Sequence, residues 1–85
     1  MNEKDDVLLE YLQDTGSAEP PTVIHWNITV DRETGSFSID TARRRLSKLK
    51  DLGLVDEVKD RGAYHKITED GRAYLRGDLD ASELD

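Results

Sequence analysis

Apolar residues along this chain recur at spacings of three and four in four places, and alternate with polar ones in a few short stretches between them. The first spacing predicts helices and the second predicts strands. Val7, Leu8, Tyr11 and Leu12 form one stripe of a helix over 3–15. Glu3, Asp5 and Asp6 suit the positive end of its dipole, and Gly16 is placed to stop it. Ser17-Ala18-Glu19 reads as a turn. Pro20-Pro21 then opens a short second helix, since the missing N–H of proline has no partner to lose in a first turn. Its apolar residues are Val23, Ile24, Trp26 and Ile28. Asp31-Arg32-Glu33-Thr34-Gly35 follows as a polar loop with a turn-forming glycine. The flanks of that loop, Ile28-Thr29-Val30 and Ser36-Phe37-Ser38, alternate in the manner of a small hairpin.

Ser38 is positioned to cap a third helix over roughly 39–52. Ala42, Leu46 and Leu49 make its core-facing stripe, with Ile39 on the margin. At about 100° per residue, the opposite face holds Asp40, Arg43, Arg44, Ser47 and Asp51, flanked by Thr41 and Lys48. Arg45 lies near the core edge. Gly53 ends the helix. Leu54 to Lys59 and Tyr64 to Ile67 read as strands joined by the turn Asp60-Arg61-Gly62-Ala63. Thr68 caps a last helix in which Ala73, Tyr74 and Leu75 pack and Gly77 is the stop. The expected organisation is one domain over 1–77 and an acidic tail over 78–85. Three helices, the third basic and amphipathic, followed by a hairpin and a helix, make an α+β winged helix-turn-helix.

Eighty-five residues suffice for one domain, and a chain of this size buries only about 60–65% of the surface that its unfolded form exposes. The absence of cysteine removes disulfides, thiolate metal sites and thiol nucleophiles. The longest apolar run, Val7-Leu8-Leu9, is far short of a membrane span, and the acidic N-terminus lacks the apolar core of a signal peptide. A soluble cytoplasmic protein is expected. The formal net charge is -7, which opposes binding to polyanions until its distribution is considered. Residues 1–42 sum to -7, residues 43–76 to +4 and residues 77–85 to -4. Arg43 to Lys50 holds five bases and no acid. Many acids, more arginine than lysine and few large aliphatic residues suit a halophilic protein in a salt-rich cytoplasm. There the Debye length shrinks to about 3 Å near 1 M salt, so distant carboxylates repel DNA weakly.

The stretch Ser38-x-x-Thr41-Ala42-x-Arg44-Arg45-Leu46-x-x-Leu49-x-x-Leu52-Gly53-Leu54-Val55 resembles the recognition-helix signature of winged helix-turn-helix transcriptional regulators. Ile67-Thr68-Glu69-Asp70-Gly71-Arg72-Ala73-Tyr74-Leu75 is similar to the segment that follows the wing in many of them. Pro20-Pro21 and the ending Gly77-Asp78-Leu79-Asp80-Ala81 resemble small haloarchaeal, halophage repressor-like members. The resemblance spans roughly residues 5–80. It implies a regulator that binds double-stranded DNA, commonly as a homodimer on two half-sites. The connection from Thr29 to Phe37 departs from the family in being longer than its usual tight turn.

A helix fits the major groove of B-DNA, where arginine makes two parallel hydrogen bonds to guanine. Arg43 and Arg44 are the best candidates for that contact. Asp40 is able either to accept from a cytosine amine or to repel phosphate and set register. Thr41 suits a thymine methyl or a phosphate, and Ser38 with the free N–H groups behind it suits a phosphate oxygen. Ser47 and Lys48 share the groove-facing surface. Arg45, Lys50, Lys59, Arg61 and Lys66 are expected to serve phosphate or wing contacts. The plainer reading is a solvated basic face with pairs such as Asp40–Arg44, and a surface pair of Arg61 with Asp60.

His25 and His65 have no spacing that suggests a metal site and read as surface or half-buried residues. Trp26 and Tyr11 read as core or dimer-seam aromatics. Tyr11 with Leu12, or the Tyr74–Leu84 stretch, would supply a seam. No carboxylate pair in an apolar pocket, phosphate loop or nucleophile elbow marks an enzyme, and no cofactor or small-molecule ligand is implied. The competing function is a winged helix that binds a protein of the transcription or replication machinery, since fold does not fix function.

Overall fold

The computed structural model describes residues 3–31, 37–59 and 63–80. Along the chain these form α1 (Glu3–Thr15), α2 (Pro21–Trp26) with a π-helical extension (Asn27–Asp31), α3 (Ile39–Asp51), β1 (Val55–Lys59), β2 (Ala63–Ile67) and α4 (Glu69–Arg76). The helix boundaries follow from their caps. Ser38 accepts a hydrogen bond from the Thr41 N–H at 3.1 Å, and Thr68 accepts from Gly71 N–H at 3.1 Å. Each such cap contributes on the order of 1 kcal/mol. The Thr68 hydroxyl also donates to the Gly53 carbonyl at 2.7 Å, which ties the start of α4 to the end of α3. Gly53 stands at φ 81, a left-handed conformation that other residues adopt only with strain. It lets the Leu54 N–H return to Leu49 O at 3.0 Å.

The core is a single cluster. Leu8, Leu9, Tyr11 and Leu12 of α1 meet Ile24 and Ile28, Leu46 and Leu49 of α3, and Leu54, Val55 and Ile67 at the base of the hairpin. α1 and α3 present the stripes their spacing predicts, and full burial of each large aliphatic side chain contributes about 1.5–3 kcal/mol. Gly71 of α4 is buried as well. A Cβ there would strike the Leu54 carbonyl oxygen and come within 2.6 Å of Ile67 Cγ1. Glycine inside a helix costs about 1 kcal/mol relative to alanine, and here it admits α4 to the foot of the hairpin.

β1 and β2 pair antiparallel in the register Val55↔Ile67, Glu57↔His65 and Lys59↔Ala63. The segment before α2, expected to be only a turn, adds to this sheet. Glu19 N–H donates to His65 O at 2.9 Å and His65 N–H to Glu19 O at 2.8 Å. β2 therefore lies between β1 and a one-residue bridge at Glu19. Glu19 is held from its side chain too, since Tyr11 Oη donates to its carboxylate at 2.5 Å.

One expectation fails. The strand-like pairing of 28–30 with 36–38 does not form, because Asn27–Asp31 continues α2 as a π-helical turn. Ile28 follows Ile24 by four residues and both are fully buried, so burial extends the helical stripe and outweighs the weak alternation. The Thr29 hydroxyl donates to His25 O at 2.7 Å. His25 Nε2 in turn donates to Phe37 O at 2.5 Å, and its ring meets Phe37 edge-on at 5.8 Å. The long connection from α2 to α3 is thus braced across its two ends. α1 to α3 form the helical core, α2 and α3 the helix-turn-helix pair, and the hairpin the wing. Among the described residues no helix is long and apolar enough to cross a membrane.

Candidate nucleic-acid interface

Three consecutive arginines on α3 point in three directions because each residue turns the helix by about 100°. Arg45 turns inward along the side of α1. Its Nε donates to Asp5 Oδ1 at 2.7 Å, and its Nη2 donates to Asp5 Oδ2 in the same bidentate pair. Asp5 is fully buried and the Arg45 side chain is 27% exposed. The two parallel charge-assisted bonds raise the Arg45 pKa above its ordinary value against the opposing effect of burial. The residue expected at a phosphate is therefore engaged within the fold, as is Asp5, an acid expected to serve only the helix dipole.

Arg43 and Arg44 are exposed. Neither joins an ion pair among the described residues, and the alternative pair Asp40–Arg44 is not formed. Ser38, Asp40, Ser47 and Lys48 are exposed alongside them, whereas Thr41 is half-buried and accepts from the Ser38 hydroxyl at 3.0 Å. Lys50 leans from α3 to the wing and meets Glu57 Oε2 at 2.6 Å. That partner raises the Lys50 pKa, and Lys50 lowers that of Glu57. Lys59 and Lys66 are exposed on the hairpin, but strand alternation puts them on different faces. Arg61 lies outside the described residues.

An open groove of about 630 Å³ separates the outer side of α3 from the hairpin. Arg43, Ser47 and Lys50 line it from α3, Glu57 and Lys59 from β1, and Ala63 and His65 from β2. Pro20, Pro21 and Thr22 close one end. Four of the expected contact residues, Arg43, Ser47, Lys50 and Lys59, thus converge on one concavity. Arg44, Lys48 and Asp40 stay on the crest of the helix, and Lys66 faces away on the other side of the hairpin.

His65 was not legible as part of this site. It is 7% exposed, deeper than a surface or half-buried histidine, and its Nδ1 has no hydrogen-bond partner among the described residues. Burial pushes its pKa down, with Glu57 opposing that shift and Lys50 adding to it. Its inward phase with Ala63 and Ile67 in β2 was the available signal.

No family model, curated protein or solved structure matches this chain. What the arrangement is able to do follows from shape and charge. Arg44 on the crest of α3 and Arg43 at the groove stand outside any ion pair among the described residues, and the groove is cationic. A second concavity, between α1 and α4, has the opposite sign: Asp6, Glu10 and Asp80 line it with Tyr74. Tyr74 Oη donates to Asp6 at 2.8 Å, and burial with that acceptor pushes its pKa up to about 12. The charge asymmetry of the sequence is therefore also an asymmetry of faces.

The remaining aromatics divide. Tyr11 is core, 3% exposed, and Leu12 is wholly buried, so neither is available as a seam between two copies. Trp26 is 60% exposed and Val23 39%, which removes Trp26 from the core. They stand one turn apart on α2.

Proposed function

We propose that this domain binds double-stranded DNA with sequence specificity as a transcriptional regulator. α3 enters the major groove with Arg43 and Arg44 at base edges, and Thr41, Ser47 and Lys48 lie beside them. Ser38 reaches the backbone from the start of α3, Lys50 from its last turn and Lys59 from the wing. The observation that carries this reading is the state of the arginines. Arg45 is occupied by the fold, while Arg43 and Arg44 are held at the surface with no internal role. A helix of this diameter fits a major groove about 12 Å wide, and each bidentate arginine–guanine pair discriminates by about 1–3 kcal/mol.

Selection of bound duplexes from a random pool in concentrated KCl tests the proposal. A recurrent sequence is expected, and the Arg43→Ala, Arg44→Ala double variant is expected to lose it while keeping its helical circular dichroism. Recovery of random sequence alone would overturn it.

One observation favours a second reading, in which the winged helix docks on a protein. Trp26 with Val23 forms an exposed apolar patch on α2, and buried aromatics anchor many protein interfaces. Trp26→Ala separates the two: it leaves duplex binding unchanged under the first reading and removes partner binding under the second.

A further inference from the structure

The groove between α3 and the hairpin holds more than a helix-turn-helix needs for reading bases. Its charge is uneven. Arg43, Lys50 and Lys59 face one acid, Glu57, and that acid is already neutralised by Lys50 at 2.6 Å. The hydroxyl-bearing residues Ser47 and Thr22 stand in the same lining as neutral donors. His65 forms part of the wall, and its imidazole carries a buried nitrogen left without a partner among the described residues. Buried polar nitrogens are nearly always paired, so an orphan calls for a ligand or water to complete it. A neutral imidazole still bears one N–H, which suits an acceptor oxygen.

We propose that this groove is a binding site for a phosphate group, held by Arg43 and Lys59 with Ser47, against the buried imidazole of His65. A guanidinium and a primary ammonium meeting a hydroxyl and an imidazole match a tetrahedral oxyanion with several acceptor oxygens. Two sources share that chemistry: a phosphodiester of the DNA backbone, and free inorganic phosphate. The first source rests on the DNA reading, in which Arg43 then holds the backbone and leaves the base edges to Arg44; the second does not. The charged groups around the imidazole set the sign of its response. Glu57 and Lys59 approach from β1, and Arg43 and Lys50 from α3. Glu19, its backbone partner, keeps its carboxylate on Tyr11. An entering phosphate competes with Glu57 for Lys50, and so changes the field at His65 directly.

The test follows the imidazole nitrogens of His65 by ¹⁵N NMR in the full chain, at constant pH and ionic strength. One series adds inorganic phosphate and the other adds a short duplex. A saturable change in the Nδ1 resonance is expected, with affinity for inorganic phosphate falling about tenfold in Arg43→Ala, as for loss of one charge-assisted hydrogen bond. Glu57→Gln is expected to tighten binding, and Arg76→Gln, on α4, to leave it unchanged. Both rim variants change exposed or partly exposed side chains and keep the test open if His65→Gln does not fold.

A response to the duplex alone supports the site with DNA as its source. A response to inorganic phosphate in a chain that binds no duplex supports the site and removes the DNA reading. Duplex binding with His65 unmoved by either ligand overturns the proposal and leaves the DNA reading standing. Failure of both ligands to bind overturns both.

Discussion

Among the described residues two ion pairs attach α3 to its neighbours, and they differ in nearly everything but charge. Asp5–Arg45 joins α3 to α1 with a carboxylate that is wholly buried. Lys50–Glu57 joins α3 to the wing from the surface, with the lysine side chain 47% exposed. In the first, the carboxylate has no water to fall back on, so the pair is part of the fold. In the second, water and salt compete for both partners, so an incoming anion is able to replace one of them. The helix is fixed on the side of α1 and exchangeable on the side of the wing. That asymmetry suits the role proposed for α3: a rigid attachment behind it and a replaceable one beside the groove.

The comparison breaks most sharply at Arg45. Its replacement by Ala takes the bidentate partner away from the buried Asp5 carboxylate, and loss of about 3 kcal/mol of stability is expected in chemical denaturation. Most domains are stable by only about 5–15 kcal/mol, so this variant stands near the edge of folding. A hydrophobic pair at the two positions, Asp5→Leu with Arg45→Met, is expected to recover most of the loss. A stability unchanged by Arg45→Ala would mean that α3 is not held through α1.

Arg44→Ala tests the exposed face. Removing a side chain that packs on nothing is expected to move stability by no more than about 0.5 kcal/mol. Affinity for the selected duplex is expected to fall by about 1–3 kcal/mol, measured by fluorescence anisotropy at fixed salt. Lys48→Ala, on the same crest, is expected to weaken all duplexes alike and to lower the salt slope by about one ion.

Acid sharpens the contrast on the wing side. Burial holds the folded-state pKa of His65 below its unfolded value, near 6.5. The corresponding stability is present above that value and is lost as pH falls through the folded-state pKa, because the unfolded chain then takes up the proton first. Denaturation midpoints measured from pH 7.5 downward are expected to decline below about 6.5, and His65→Phe is expected to flatten that decline.

The smallest effect belongs to Lys50→Ala. Loss of the Glu57 partner is expected to leave the denaturation midpoint within error, at low and high KCl alike. A clear shift would show that the wing depends on the pair as α1 does on Asp5–Arg45.

Much of this molecule was written in local chemistry. Ser38 and Thr68 as caps, Gly16, Gly53 and Gly77 as stops, and the Ala42-Leu46-Leu49 stripe each specify structure within a few residues, and the helices and hairpin follow from them. What escaped depends on partners distant in sequence. Asp5 is one of three acids in the first turn of α1, and only the fold, by bringing a residue forty positions away beside it, singles it out for burial. Glu19 joins the sheet through a single pair of backbone bonds, which no side-chain alternation announces. Gly71 looks like a weak point of α4 until the approach of Leu54 and Ile67 explains it. In the site, the exposed face of α3 was legible from helical phase. The groove was not, since it exists only where that face meets a hairpin tied by the Glu19–His65 bridge to the segment before α2.

The inward turn of Arg45 has a practical side for redesign. Positions 42, 45, 46 and 49 belong to the scaffold, whereas 40, 43, 44, 47 and 48 are exposed on its surface. A foreign address grafted onto the second set alone inherits the framework intact. A transplant of the whole helix severs the tether to α1 unless the incoming sequence restores an arginine opposite Asp5.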